Sequence, residues 1–233
     1  MGQTEIAAVH DRYERRKAAV ENNRYSPLNA DVWQGMQERQ RAMLRIFAHL
    51  GLGNFHATKL VEVGCGAGGN LLEFLRLGFQ PQNLIGVELL EDRVAIANKV
   101  LPAGMVRLGD AASMILPSAS QDIVYQSTVF SSLLDDTFQQ ELAERMWGWA
   151  KPGGGVLWYD FIYNNPSNPD VRGVPVRRVR ELFPNGTLSV NRLTLAPPIA
   201  RKVCRIHPAL YRFFNAFPCL RTHVLCWIRK ASW

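Results

Sequence analysis

An α/β fold built on an open, mostly parallel sheet is predicted by three features of the chain. The stretch Leu60-Val61-Glu62-Val63-Gly64-Cys65-Gly66-Ala67-Gly68-Gly69-Asn70-Leu71-Leu72 is an apolar strand that runs into glycines and emerges as a helix. From Leu60 onward, short apolar strands alternate with amphipathic helices, a pattern that implies parallel crossovers. With 233 residues and 47% hydrophobic content, the chain can bury a substantial core within the size range of a single domain.

The elements follow in order. Residues 3–23 read as a charged helix ending near Asn22-Asn23, and Tyr25-Ser26-Pro27-Leu28-Asn29 as a turn. Residues 31–50 form a second helix, with Trp33, Met36, Gln40, Met43, Leu44, Phe47 and Leu50 on one stripe and a stop at Gly51-Leu52-Gly53. Strands are expected at 60–63, 83–88, 105–108, 122–126 and 155–162, the last entered by a tight turn at Lys151-Pro152-Gly153-Gly154-Gly155. Val176 to Phe183 reads as a helix closed by Pro184-Asn185-Gly186, Thr187 to Leu195 as a sixth strand, Pro208 to Phe217 as a helix and His223 to Ile228 as a last strand. There is no internal repeat or low-complexity segment.

The glycine loop defines a nucleotide-type cofactor site. Gly64 and Gly66 allow a sharp turn and close backbone approach to a ligand, and the helix starting near Asn70 presents unpaired N–H groups. Two patterns overlap there. Gly64-x-Gly66-x-x-Gly69 fits a dinucleotide loop, and Glu62-x-Gly64-x-Gly66-x-Gly68 fits a methyl-donor loop. Glu88, closing the second strand, would meet the ribose hydroxyls of either cofactor. The order of four motifs separates them: the glycine loop, Glu88, Gly109-Asp110-Ala111 after the third strand, and the Lys151-Pro152-Gly153-Gly154 turn.

In that order, from Leu60 to Tyr159, the sequence resembles the class I S-adenosylmethionine-dependent methyltransferases. The resemblance implies a single-domain Rossmann-like methyltransferase fold, a mostly parallel seven-stranded sheet with one antiparallel strand. It also implies a helical lid over residues 1–55 belonging to the same domain as a cofactor-binding core over 56–233. The cofactor would be S-adenosylmethionine and the product S-adenosylhomocysteine, with no metal. Its contacts would come from Glu62, Gly64, Cys65, Gly66, Gly68, Asn70, Glu88, Leu89, Asp110, Ala111 and Gln126. Glu62 would lie near the methionine end and Asp110 near the adenine amino group, while Cys65 reads as a small loop filler. Gln37, Arg39 and Arg41 of the second helix could reach the cofactor carboxylate or the acceptor.

Acceptor chemistry belongs at the carboxyl ends of the strands. Asp160, expected at the exposed end of the fifth strand, is the first candidate base; His223, then His207 and His56, follow it. Phe130, Tyr159, Tyr163 and Asn165 would position the acceptor, and Arg172 could pair with an acceptor phosphate or carboxylate. The blocks Trp158 to Pro166, Asp170 to Pro175, Thr194 to Pro198 and Leu220 to His223 resemble a little-characterised bacterial methyltransferase group often associated with cell-surface polysaccharide genes. That resemblance implies O-methylation of a sugar or other small-molecule hydroxyl.

Charge and composition bound the partners. The net charge is +7, and after Asp170 the only acid is Glu181 against twelve arginines and lysines. Such a field favours an anionic acceptor, a lipid-linked one included, or a peripheral contact with the inner membrane face. Nucleic acid ranks last, because no RNA-binding signature accompanies the charge. The start lacks the plan of a signal peptide and no apolar run spans a bilayer, so a cytoplasmic protein is expected. Cys65, Cys204, Cys219 and Cys226 show no paired spacing and read as reduced thiols. An NAD-dependent oxidoreductase and a non-catalytic binding module are the remaining alternatives; nothing in the sequence indicates an oligomeric state.

Overall fold

Seven strands form one sheet in a computed structural model that describes residues 2–19 and 24–232. They are β1 (Leu60–Val63), β2 (Leu84–Glu88), β3 (Val106–Leu108), β4 (Gln121–Ser127), β5 (Ala150–Phe161), β6 (Thr187–Leu195) and β7 (Arg221–Arg229). Their order is β3-β2-β1-β4-β5-β7-β6. Strands β1 to β5 pair in parallel, and β7 runs antiparallel to both β5 and β6. The sheet is therefore mostly parallel with one antiparallel strand.

Helices cover both faces because the strands between them are apolar on both sides. Val61, Val63, Val87 and Val124 face a layer formed by α1 (Gly2–Ala19), α5 (Asp136–Trp149) and α6 (Val176–Leu182). Leu60, Leu84, Ile123, Tyr125 and Leu157 face α2 (Ala30–His49), α3 (Gly69–Arg76) and α4 (Glu91–Val100). A smaller cluster around Leu195 and Tyr211 joins α7 (Pro197–Ile206) and α8 (Ala209–Asn215) to the end of β6.

Three sequence expectations change here. Strand β5 begins at Ala150, without the expected tight turn: Gln121 pairs with Ala150, then Ile123 with Gly155, so a bulge absorbs the Lys-Pro-Gly-Gly segment. A side chain at Gly155 would place its Cβ 2.3 Å from the Ile228 carbonyl, which is why the strand stays bare where β7 crosses it. The segment expected as a single helix over 208–217 holds α8, and the preceding α7, which opens on Pro197-Pro198, is an element that the sequence expectations do not include. Proline is tolerated in the first helical turn, where its missing N–H has no partner to lose. On α2 the buried positions are Ala42, Met43, Ile46 and Phe47, whereas Trp33 and Leu44 are exposed. The expected end of the first helix at Asn22-Asn23 lies outside the described residues.

Strand direction decides what meets at the carboxyl edge. Strands β1 to β5 end there, β6 ends there too, and β7 starts there, with Phe161 opposite His223 and Leu195 opposite Arg221. The whole excursion between β6 and β7, containing α7 and α8, is thus at the edge that carries the glycine loop. Among the described residues, no helix is long and apolar enough to cross a membrane.

Candidate cofactor and acceptor site

The glycine loop closes on itself through Gly68 N to Cys65 O (3.0 Å) and is held to β2 through Cys65 N to Val87 O (3.0 Å). Gly64 has φ +64, and a Cβ there would strike Val129 Cγ2 at 2.5 Å. Gly66 has φ +57, but a Cβ there would meet nothing within 4 Å. The first glycine is required by packing, while the second leaves the space in front of its backbone open. Gly64, Glu88, Leu89, Asp110 and Ala111 line one cavity, closed from α1 by Ile6, Val9 and Tyr13. The Tyr13 hydroxyl lies 3.3 Å from Ser132 Oγ, and Arg93 lies over the Tyr13 ring.

Glu88 is 4% exposed and serves the loop directly. Its Oε2 accepts from Gly66 N at 2.7 Å and its Oε1 from Leu90 N at 2.9 Å, so the remaining lone pairs are what a ribose could use. Asp110 accepts from Ala112 N and Ser113 Oγ, an arrangement that turns the chain around the end of the cavity. Cys65 is buried and its thiol pKa is raised by burial and by the nearby Glu62 and Glu88 carboxyls, which suits a filler.

Across the loop, on the α2 face, Glu62 is fully buried. Its Oε1 accepts from Asn70 Nδ2 at 2.6 Å; its Oε2 has no partner among the described residues. Desolvation pushes its pKa up to about 8 against the pull of Asn70 and Arg39. Arg39 of α2 donates to Asn70 Oδ1 at 2.8 Å and Ser127 Oγ at 3.2 Å, and its guanidinium lies 5.2 Å from the Tyr159 ring centroid. An orphaned buried carboxylate oxygen is the partner an ammonium group lacks in an apolar cleft. Together with the open cradle at Gly66 and the acids at Glu88 and Asp110, these residues fit S-adenosylmethionine.

The acceptor candidates separate by face. Asp160 is not at an exposed end: it is 0% exposed, because β5 continues through Phe161 against His223 and the loop at Ser131 folds over it. Its oxygens accept from Ser131 N (3.1 Å) and Phe161 N (2.9 Å), and burial pushes its pKa up to about 7. His223 projects to the opposite face, stacked on Tyr159 at 5.2 Å between centroids and edge-on to Phe161. Alternation of side chains along paired strands makes this separation unavoidable. Burial, then the Arg39 cation, pushes the His223 pKa down to about 4. Tyr159 Oη meets Thr194 Oγ1 at 2.7 Å.

Other expected contacts are turned elsewhere. Phe130 is 0% exposed and packs on Trp158, so it belongs to the core rather than to the cleft. Gln126 is fully buried, donating to Tyr159 O and accepting from Val129 N, which ties β4 to β5. Arg172 is ion-paired with Asp136, which also draws in Arg178. Tyr163 and Asn165 are exposed on the loop after β5, where Asn165 Oδ1 accepts from Ser167 N. His56 and His207 are both exposed; His56 pairs with Gln80, and His207 Nδ1 accepts from Ala209 N. Of Gln37, Arg39 and Arg41, Arg39 is the one that makes the site contacts; Arg41 is exposed.

The structure adds residues that local pattern did not single out. Glu38 receives Thr194 N, Tyr211 Oη and Asn215 Nδ2, pinning α2 to β6 and α8. Thr194 has φ +63, a strained value for a β-branched residue, and sits between Glu38 and Tyr159. Tyr125 is fully buried within reach of the Arg39 charge, its pKa pushed up to about 12 by burial. Adjacent helix positions at 38 and 39 reaching two different partners carry no sequence signal.

Residues 60–154 match the family model described as a methyltransferase domain. No curated protein matches the chain in sequence. Among solved structures, a SAM-dependent methyltransferase from Archaeoglobus fulgidus is 15% identical, with TM-score 0.56 over 81% of this chain and 94% of its own. Phosphoethanolamine N-methyltransferase 2 from Haemonchus contortus, in complex with S-adenosyl-L-methionine, is 16% identical, with TM-score 0.57 over 82% of this chain and 52% of its own. The [4+2]-cyclase SpnF is 16% identical, with TM-score 0.53 over 81% and 82%. At such identities these likenesses speak for the fold. The matched segment holds the glycine loop, Glu88 and Asp110 and reaches the Lys151-Pro152 segment, and the sheet departs from the all-parallel dinucleotide order by the inserted antiparallel β7. Residues 60–154 thus match a methyltransferase domain, on a fold shared with solved S-adenosylmethionine-dependent methyltransferases.

Proposed function

We propose that this methyltransferase transfers the methyl group to a hydroxyl of a sugar or related small molecule held on the face formed by Tyr159, His223 and Arg39. One observation carries the reading: Arg39 touches both halves of the site, donating to Asn70, which holds the orphaned Glu62, and lying over Tyr159, on which His223 stacks. The bound cofactor would supply an electrophilic sulfonium methyl, and in-line displacement asks the protein mainly for alignment and exclusion of water. Glu62 would take the ammonium, Glu88 the ribose and Asp110 the adenine end.

An alcohol loses its proton as the new bond forms. Burial keeps His223 neutral at ordinary pH, and its Nδ1 lies 3.0 Å from Thr222 Oγ1, so that the hydroxyl would accept from the tautomer protonated on Nδ1. Nε2 is then the nitrogen free to accept. Asp160, on the other face, would position the loop through Ser131 rather than touch the acceptor. The sugar class is supported by the resemblance of the blocks after β5 and by the polar and aromatic lining. A lipid-linked acceptor is the second reading, favoured by the exposed surface of α7 and α8. Incubation with labelled S-adenosylmethionine and a panel of nucleotide sugars, glycosides and lipid-linked sugars tests both. A mass gain of about 14 daltons on a hydroxyl supports the reading, and methylation confined to amines or carbon acids overturns it.

A further inference from the structure

Between β6 and β7 the chain leaves the sheet for α7, α8 and a 3-10 turn at Pro218–Leu220, all at the carboxyl edge beside the acceptor face. This excursion has two sides. Ala200, Val203 and Tyr211 turn inward, with Phe214 packed against them, and Tyr211 and Asn215 bind Glu38. Ile206 is 78% exposed, Phe213 60% and Phe217 47%, and Phe213 lies edge-on to Phe217 at 5.8 Å. The same two helices carry exposed basic residues, Lys202 and Arg205 on α7 and Arg212 on α8, with Arg201 half-buried. The surrounding sequence offers them little neutralisation, since no Asp or Glu follows Glu181; from α2, Asp31 approaches Cys204 and Glu38 is turned inward.

We propose that α7, α8 and the turn after them dock on an anionic bilayer surface, with Phe213, Phe217 and Ile206 entering the interface and Lys202, Arg205 and Arg212 meeting lipid phosphates. Exposed aromatic and branched side chains interleaved with cations, on short helices that cannot span a membrane, are what an interfacial contact requires. Charge complementarity selects this occupant. A protein partner would have to present a strongly acidic apolar face, and a duplex nucleic acid, its bases already paired, would leave Phe213 and Phe217 uncovered. Docking this excursion would bring the carboxyl edge of the sheet close to the membrane. The inference does not depend on which acceptor is methylated.

Flotation of the full chain with vesicles tests it. Binding is expected to vesicles containing about 30 mol% phosphatidylglycerol and not to pure phosphatidylcholine, with loss at high salt. Phe213→Ser with Phe217→Ser should weaken binding at least tenfold, and Arg205→Ala roughly fivefold. All three positions are exposed, so circular dichroism and cofactor binding should be unchanged. Absence of binding to anionic vesicles at low salt overturns the proposal. So does binding that the double Phe variant leaves intact, or a preference for single-stranded RNA over vesicles in direct competition.

Discussion

The Glu88 carboxylate accepts the Gly66 N–H at 2.7 Å, so the acid at the end of β2 and the cradle of the glycine loop form one unit. Glu88→Ala therefore removes more than ribose hydrogen bonds: it leaves Gly66 N and Leu90 N without their acceptor, at roughly 1–3 kcal/mol for each buried group. Cofactor affinity should fall further than for a variant that only loses ligand contacts, and the melting temperature should fall with it. Isothermal titration and thermal unfolding together check this, and an unchanged melting temperature would argue against the shared unit.

Gly66→Val should abolish S-adenosylmethionine binding. Its side chain would occupy the open space in front of the loop, at a φ of +57 that also strains any branched residue. Gly66→Ala should weaken binding by a smaller factor while the far-ultraviolet spectrum stays native. Wild-type affinity in Gly66→Val, read by calorimetry, would remove the site from this loop.

Glu62 should make cofactor binding depend on pH. Free of ligand, the folded chain keeps this carboxyl protonated up to about pH 8, whereas the unfolded chain releases the proton near 4.5. Between those values the folded state holds more protons, so its contribution to stability declines as pH rises. An ammonium ligand favours the carboxylate, so affinity should increase with pH toward 8 and then level off. Glu62→Gln should flatten both dependences, as followed by denaturant titration and by dissociation constants at several pH values.

Base catalysis distinguishes His223 from Asp160. His223→Gln should lower kcat by roughly 10² to 10⁴ with little change in cofactor affinity. The wild-type kcat/KM should fall on the acid side only near pH 4, where the folded imidazole gains a proton. Asp160→Asn should act differently, because an amide nitrogen would face the Ser131 or Phe161 N–H and loosen the loop after β4. A larger effect on acceptor KM than on kcat is expected; the reverse pattern would return the base to Asp160.

Arg39→Lys should weaken both cofactor and acceptor binding. A lysine cannot reproduce the fork that serves Asn70 and Ser127 while lying on the Tyr159 ring. Kinetic constants for the two substrates, measured separately, should both worsen. A change confined to one substrate would place Arg39 on that side alone.

Local pattern was enough for the sheet and the loop. The apolar runs at 60–63, 84–88 and 187–195, the glycines at 64 and 66, and the acids at 88 and 110 are each features of a few consecutive residues, which strand and turn geometry shapes directly. Residue type alone also marked β7 as a strand. What no local pattern contained was which side each residue would face. The pairing of Phe161 with His223 decides that Asp160 turns to Ser131 and that His223 turns to Tyr159. Arg39 and Glu38, consecutive on α2, become a bridge and a pin only because β4, β5, β6 and α8 meet them from positions 88 to 177 residues away. The strained Thr194 and the outward Phe213 likewise depend on α7 and α8 being folded back at the carboxyl edge. Periodicity, propensity and turn chemistry act over a few residues, and so the chain states its elements; facing, burial and proton affinity arise from neighbours distant in sequence, and so only the packed sheet decides them.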